Sequence, residues 1–378
     1  MKNILVLNYE FPPLGWWQAN ANYYIFKEFS KNKNFSFTLI TSSSDKYFEE
    51  VFFDNIKIYY LDIWKKWQNL HNQSIKNLLI NAYKTYKLSK QLLKEKKYDS
   101  IMCWSYPAIV IWYIFKKIYW LDYITLLRWS DVPFYEKKWK NLDRFIFKYF
   151  APIFWKNSKY VIANSQDLKK LALNISPNQE IKIITNWVDL EEFNKEKNKS
   201  KNIFNIIFVW RLTERKGIKE LLQAYNIFSN NKNDVRLNIV WNWELFESSK
   251  QFMMKNNLSE KIIFHWLKKH NEIVNIYNSS DIYILPSSNE GMSNTLLEAL
   301  ASSLPVIITN VGWTKELFDK NGWIIEIWNS HDIVEKLDLA YDLWLNWELE
   351  NLWKKSFEIV SSMSWENKAK DFIKYFKN

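Results

Sequence analysis

Two carboxylates eight residues apart, Glu290 and Glu298, are the most specific chemical signal in the sequence. They lie in PSSNEGMSNTLLEALASSLPVIITNVGW, residues 286–313. Glu290 falls on a loop after a buried apolar run, and Glu298 inside the helix that follows. Gly291, Met292 and Ser293, with Asn294 beside them, open that helix, so their backbone N–H groups make a site for an anion or a hydroxyl. A second signal is FVWRLTERKGIKELLQAY, residues 208–225, where Arg211 and Lys216 leave a strand end ahead of a helix. An Arg fork plus a Lys point charge suits a diphosphate, the Arg through directional, two-pronged hydrogen bonds. On this reading Lys216→Ala should lower turnover far more than folding stability. A third signal is FPPLGWWQANANYYIFKEF, where Gly15, Trp16 and Trp17 stand between the first strand and a helix start that can approach a phosphate or an acceptor. In LLRWSDVP, residues 126–133, Arg128 and Asp131 either bind a phosphate or an acidic acceptor, or form a structural pair. The four His show no zinc spacing and Cys103 stands alone, so neither a metal centre nor a disulfide framework is expected.

These groups need rigid elements behind them, and the hydrophobic pattern supplies two series of alternating strands and helices. That alternation signals βα units and a parallel sheet. The first series places strands at residues 3–8, 35–41, 56–61, 100–103, 123–128, 160–164 and 181–185, with helices at 20–30 and 75–97. The Lys-rich 75–97 stretch reads as an ordinary sheet-covering helix with a solvated Lys face, in preference to an interfacial helix on anionic lipid. The second series places strands at 204–209, 235–240, 261–265, 281–285, 305–309 and 324–327. Between the series, EEFNKEKNKSKN is polar and without period, a linker signal. The expected division is a first domain over 1–190, a linker over 191–202, a second domain over 203–360, and a C-terminal helix over 361–378 that packs back on the first domain. Two doubly wound domains facing each other would set a cleft between the carboxyl ends of both sheets.

Composition restricts the function further. The 378 residues suffice for two or three ordinary domains. The opening MKNILVLNYEFPP reads as a first strand and not as a secretory signal, and no apolar run reaches the roughly 18 residues of a membrane span. A cytoplasmic location follows as the expectation. Charge is unevenly spread: residues 1–180 carry 27 Lys and Arg against 15 Asp and Glu, whereas residues 181–378 carry 25 against 26. The basic half is expected to meet something anionic, such as the inner face of the cell membrane or an acidic lipid-linked acceptor. No recognition motif supports nucleic acid as the partner.

The tryptophans are anomalous. The chain has 5 Gly and 22 Trp, where average usage would give about 26 glycines. Trp187 follows Asn in NWVD, Trp241 and Trp243 flank Asn242 after an apolar run, Trp210 ends another, and Trp313 follows Gly312. Such turns call for positive φ or close backbone approach, which glycine supplies at little cost. Most of these tryptophans are therefore expected to be glycines in the living protein, from UGA codons read as tryptophan. Trp365 reads as genuine, and Trp323 is a second exception.

The 286–313 segment resembles the E-x7-E motif of the family-4 retaining glycosyltransferases, whose fold is GT-B. Residues 208–225 resemble that family's G-R-L-x-x-x-K-G, with Trp210 in the first glycine position. The resemblance runs nearly the whole chain and is strongest over 203–330. It implies an α/β protein of two Rossmann-like domains, with Glu290 against the donor sugar and Glu298 on the ribose hydroxyls. Arg211 and Lys216 would neutralise the leaving nucleoside diphosphate, and the backbone at Trp266–Leu267 would lie near the base. No cofactor and no metal ion are then required, the nucleoside-diphosphate sugar being a substrate. Ser303 stands where the family usually has Gly, and Arg128 where many members have His, so no His-based role carries over. The function implied is transfer of a sugar, with retention, to a glycan or lipid-linked acceptor in cell-surface polysaccharide synthesis. The competing readings are a sugar-nucleotide epimerase of the same fold, and an inactive nucleotide-sugar-binding protein if Trp16, Trp17 and Trp210 are literal and crowd the phosphate site.

Overall fold

The computed structural model describes residues 1–14, 17–64, 75–104, 108–128, 131–134, 147–193, 202–209, 214–240, 245–265, 270–290 and 292–377. The chain divides into two compact units, Met1–Thr185 with Trp365–Asn378, and Asn186–Ser364.

In the first unit the strands are β1 (Lys2–Leu7), β2 (Phe35–Ser43), β3 (Phe48–Phe53), β4 (Ile56–Asp62), β5 (Ser100–Cys103), β6 (Tyr123–Leu127), β7 (Tyr160–Ala163) and β8 (Ile181–Ile183). They form one sheet in the order β3-β4-β2-β1-β5-β6-β7-β8. All neighbours are parallel except β3, which pairs antiparallel with β4 at the edge. The charged FEEVFF of β3 has no strand-like alternation of burial, its first four residues being exposed, and this strand was not expected. A charged edge strand of this kind protects the sheet from pairing with another chain. The central strands are buried apolar runs, as a sheet covered on both faces requires. Its helices are α1 (Trp17–Ser30), α2 (Ile75–Glu95), α3 (Ala108–Tyr119), α4 (Lys148–Asn157) and α5 (Gln166–Leu173). The Lys-rich α2 is a covering helix: Asn81, Thr85, Ser89 and Leu92 are buried, and Tyr86 stacks on Phe115 of α3 at 5.3 Å.

The second unit has β9 (Phe204–Val209), β10 (Val235–Val240), β11 (Ile262–His265), β12 (Ile282–Leu285), β13 (Val306–Thr309) and β14 (Gly322–Ile325), all parallel in the order β11-β10-β9-β12-β13-β14. Its helices are α6 (Leu190–Phe193), α7 (Ile218–Phe228), α8 (Phe246–Lys255), α9 (His270–Asn278), α10 (Asn294–Ala301), α11 (Ser330–Leu345) and α12 (Glu350–Val360). The last helix, α13 (Trp365–Lys377), belongs to the first unit. Phe372 and Phe376 of α13 pack edge-on against Phe29 of α1 at 6.2 and 6.0 Å, and Lys2 Nζ donates to the Phe376 carbonyl at 3.0 Å.

The division between units falls earlier than the polar stretch at 191–202. Val188 is held to Met363 by a backbone hydrogen bond, and Phe193 is buried against Tyr277 in the second unit's core. One buried Phe thus outweighs the polar residues around it; residues 194–201 lie outside the described residues. Among the described residues no helix is long and apolar enough to cross a membrane.

Candidate active site

In the second sheet the chain runs from β9 to β10 and β11 on one side, then returns to β12 on the other side of β9. Strand order reverses between β9 and β12, and ligands of open α/β sheets bind outside the carboxyl ends of strands at such a point. The two most specific sequence signals leave these two strands. Lys216 ends a 3-10 turn, Glu214–Lys216, between β9 and α7, and Glu290 lies on the loop from β12 to α10.

Two close backbone approaches assemble the loops. Gly217 has φ 68°, and a Cβ there would collide with the Pro286 carbonyl. Gly312 has φ 53°, and a Cβ there would collide with the Glu290 carbonyl. Only glycine satisfies both the left-handed backbone and the missing space. Between these contacts the Ser288 N–H donates to the Arg215 carbonyl at 2.9 Å, and Thr309 Oγ1 donates to the Ser287 carbonyl at 2.5 Å. The Glu290 loop is therefore clamped from both sides, by the turn after β9 and the turn after β13.

Lys216 Nζ lies 2.5 Å from Glu290 Oε1, with both side chains almost wholly excluded from solvent. This contact adds a stability cost to the Lys216→Ala change, which was expected to lower turnover far more than folding stability. Truncation would leave the Glu290 carboxylate buried beside a cavity, and breaking a buried pair from one side typically costs about 3–5 kcal/mol.

Glu298 is buried on α10 and accepts a hydrogen bond from the Tyr277 phenol at 3.1 Å. Burial first, and the Glu298 charge second, push the Tyr277 phenol well above the ordinary tyrosine range, so it stays a donor. Sequence offered no sign of Tyr277: it lies on the buried side of α9 with Ile273 and Val274 and meets Glu298 only through packing. Ser293 caps α10, its Oγ accepting from the Leu296 N–H at 3.3 Å. Asn294 Oδ1 accepts from Asn186 Nδ2 at 2.8 Å, and Met292 Sδ from the Asn186 N–H at 2.6 Å. The Met292, Ser293 and Asn294 side chains thus hold the loop and helix start together, which leaves backbone N–H groups as what this turn offers an anion. Ser303, just past α10, has φ 53°, the left-handed conformation that accounts for glycine there in the resembling family.

In the first unit, strand order reverses between β1 and β5. Arg128 follows β6, next to β5, and is buried with its guanidinium 4.8 Å over the Trp104 ring. Asp131 accepts the Arg128 backbone N–H at 3.0 Å. Burial pulls the guanidinium down to about 10, with the Asp131 charge acting the other way. Arg128 and Asp131 are therefore joined locally, at the carboxyl end of this sheet. Gly15, Trp16, Trp210, Arg211, Leu267 and Gly291 lie outside the described residues, as does the Trp17 side chain at the start of α1.

Comparison with known proteins bears on the fold and the class of enzyme. Residues 189–356 match the family described as Glycosyl transferases group 1. Over 339 residues the chain is 27% identical to an uncharacterized glycosyltransferase, MJ1178, of Methanocaldococcus jannaschii, covering 88% of this chain and 87% of that one. It is 26% identical over 198 residues to the capsular polysaccharide biosynthesis glycosyltransferase CapM of Staphylococcus aureus, across 47% of this chain and 51% of the relative. The fold is similar to that of Anabaena Alr3699/HepE, solved in complex with UDP and glucose, at a TM-score of 0.73 and 15% identity over the full length of both chains. Residues 189–356 thus resemble the group 1 glycosyltransferases, and the chain is a glycosyltransferase with the GT-B fold of two Rossmann-like domains.

Proposed function

We propose that the chain is a family-4 retaining glycosyltransferase, transferring a sugar from a nucleoside-diphosphate sugar to a glycan or lipid-linked acceptor in cell-surface polysaccharide synthesis. The observation that carries this is the buried Lys216–Glu290 pair at the switch point of the second sheet, eight residues ahead of Glu298. The name of CapM, a capsular polysaccharide enzyme, supports the pathway class, and the UDP and glucose in the Anabaena structure support the donor class.

In this reading Glu298 receives the ribose hydroxyls, and the amides of Gly291, Met292 and Ser293, with Asn294 behind them, face the donor. Lys216 has three N–H donors, of which one goes to Glu290. With Arg211 it stabilises charge on the departing diphosphate, the largest lever for such a reaction. The bond from the anomeric carbon to the diphosphate oxygen breaks, the bond to the acceptor oxygen forms on the same face, and the acceptor proton passes to the departing phosphate. Arg128 and Asp131 belong to the acceptor side. Neither a metal ion nor a cofactor is invoked, and the enzyme works in the cytoplasm at the inner face of the membrane.

Glycine at many tryptophan positions is part of the proposal. Nine non-glycine residues among those described have positive φ, and four are tryptophans: Trp64, Trp120, Trp328 and Trp347, at φ 55–63°. All four are exposed, Trp120 by 90%. A bulky side chain in that region is an outlier costing roughly 1–2 kcal/mol, and exposed indoles gain little packing in return. Trp187 and Trp313 do not share the positive φ, so the left-handed argument does not extend to them. Trp365 stacks on Tyr24 at 5.1 Å, as a true tryptophan would.

Two measurements test the reading. Codons at 64, 120, 328 and 347 read as UGA support glycine; UGG at these positions removes that part. NMR of the product of the glycine-decoded chain should show the donor's anomeric configuration kept. An inverted product, or epimerised donor without any acceptor, refutes the assignment.

A further inference from the structure

Helices α3 and α4 pack side by side on the first sheet, with Tyr113 edge-on to Phe154 at 5.4 Å and Lys116 Nζ donating to the Asn157 carbonyl at 2.7 Å. Their inner faces are fully used: Ile109, Trp112 and Phe115 on α3, and Ala151, Phe154 and Trp155 on α4, are buried. The outer faces should then be polar, as on any surface helix. They are not. Val110, Ile114 and Ile118 recur at four-residue spacing along the outside of α3, and Tyr149, Phe150 and Ile153 stand outside on α4, at exposures of 38–65%. The charges beside them are of one sign, Lys117, Lys148 and Lys156 being exposed and neither helix containing an acidic residue. A contiguous apolar patch rimmed by lysines marks an interaction surface.

We infer that this α3–α4 face lies on an anionic lipid surface, its six apolar side chains in the headgroup–acyl boundary and its lysines among the lipid phosphates. Charge selects this occupant over a second copy of the chain, which would bring lysines against lysines. An anionic leaflet instead neutralises them, and long Lys stems reach the headgroup level while the apolar face stays buried. The excess positive charge of residues 1–180 has the same sign and adds to the attraction. The surface differs from the Lys-rich α2, whose composition alone invited an interfacial reading. The inference deepens the proposal of a lipid-linked acceptor by naming the face that meets the membrane.

The test is flotation of the full chain with vesicles of phosphatidylglycerol and phosphatidylcholine in equal parts, beside vesicles of phosphatidylcholine alone. Flotation with the anionic vesicles, weakened by salt, is expected. The double variant Ile114→Ser/Ile118→Ser and the triple variant Lys117→Ala/Lys148→Ala/Lys156→Ala should each lower partitioning by at least about tenfold. Both change outward-facing positions, and unaltered circular dichroism and nucleotide-sugar binding would exclude misfolding. Equal flotation on both vesicle types, full binding by either variant, or a dimer abolished by Ile114→Ser/Ile118→Ser would overturn the inference. Flotation needs no donor or transfer, so its failure is distinct from failure of the proposed reaction.

Discussion

The Lys216–Glu290 pair makes a prediction about stability that can be worked through from its burial. Replacing Lys216 by Met keeps most of the side-chain volume and removes the charge, leaving the Glu290 carboxylate inside the protein without its 2.5 Å partner. Breaking such a pair from one side costs about 3–5 kcal/mol, a large share of the roughly 5–15 kcal/mol that holds a domain together. For a unit of this size each kcal/mol moves the midpoint by about 2–4 °C, so Lys216→Met should lower the melting of the second unit by roughly 6–20 °C. Glu290→Gln should fall in the same direction, because it removes the carboxylate charge held against the buried ammonium. The double variant Lys216→Met/Glu290→Gln removes both charges and should recover most of the loss, giving a strongly favourable coupling. Two units need not unfold together, so the readout is hydrogen exchange of the β9 and β12 amides alongside calorimetry. A Lys216→Met protein as stable as the parent, or a double variant with the summed losses of the singles, would refute a buried, mutually dependent pair. All three variants should lack transfer activity whatever their stability, which separates the structural role from the chemical one.

Other consequences follow from the same contacts. Gly312→Ala adds a Cβ at φ 53° against the Glu290 carbonyl, so it should cost more than about 1 kcal/mol and displace the Glu290 loop, read as a lower midpoint together with weaker donor binding. Tyr277→Phe deletes the 3.1 Å hydrogen bond to Glu298 and should destabilise by about 1–3 kcal/mol while raising KM for donor more than it lowers kcat; an unchanged KM would show that Glu298 is not oriented by that phenol. Burial raises the phenols of Tyr225, Tyr277 and Tyr283 above the ordinary value, which is about 10. Their contribution is intact below that pH and is lost as the pH climbs through the raised values. Absorbance titration should therefore show a set of tyrosines ionising only as the chain unfolds, and smooth titration of all 21 tyrosines in the folded protein would contradict their burial.

Much of the fold was legible because burial leaves a plain pattern. β5, β9 and β10 begin and end where expected, since strands covered on both faces are largely apolar and leave only a few polar positions, such as Asn205, Arg236 and Asn238. The antiparallel β3 was invisible for the opposite reason: it is a charged edge strand, held by pairing with β4 and not by alternation. The boundary at Thr185 was hidden because Phe193 finds its core partner Tyr277 more than eighty residues away. In the candidate site, spacing singled out Glu290, Lys216 and Glu298, and the fold brings Lys216 and Glu290 together. Their burial, the Tyr277 phenol and the two-sided clamp through Gly217 and Gly312 are products of long-range packing, which spacing does not encode. The apolar outer faces of α3 and α4 were concealed in a sequence that reads as simply hydrophobic, because only the fold separates the buried stripe from the exposed one.

The central claim is that this chain moves a sugar from a nucleotide donor, and the most direct measurement is a mass-spectrometric screen of nucleoside-diphosphate sugars with glycan and lipid-linked acceptors, using the glycine-decoded chain. One acceptor should gain the mass of a single sugar as an equal amount of nucleoside diphosphate appears, and Glu298→Gln should raise the donor concentration needed. No consumption of any donor with any acceptor, or conversion of donor with no acceptor present, would contradict the account.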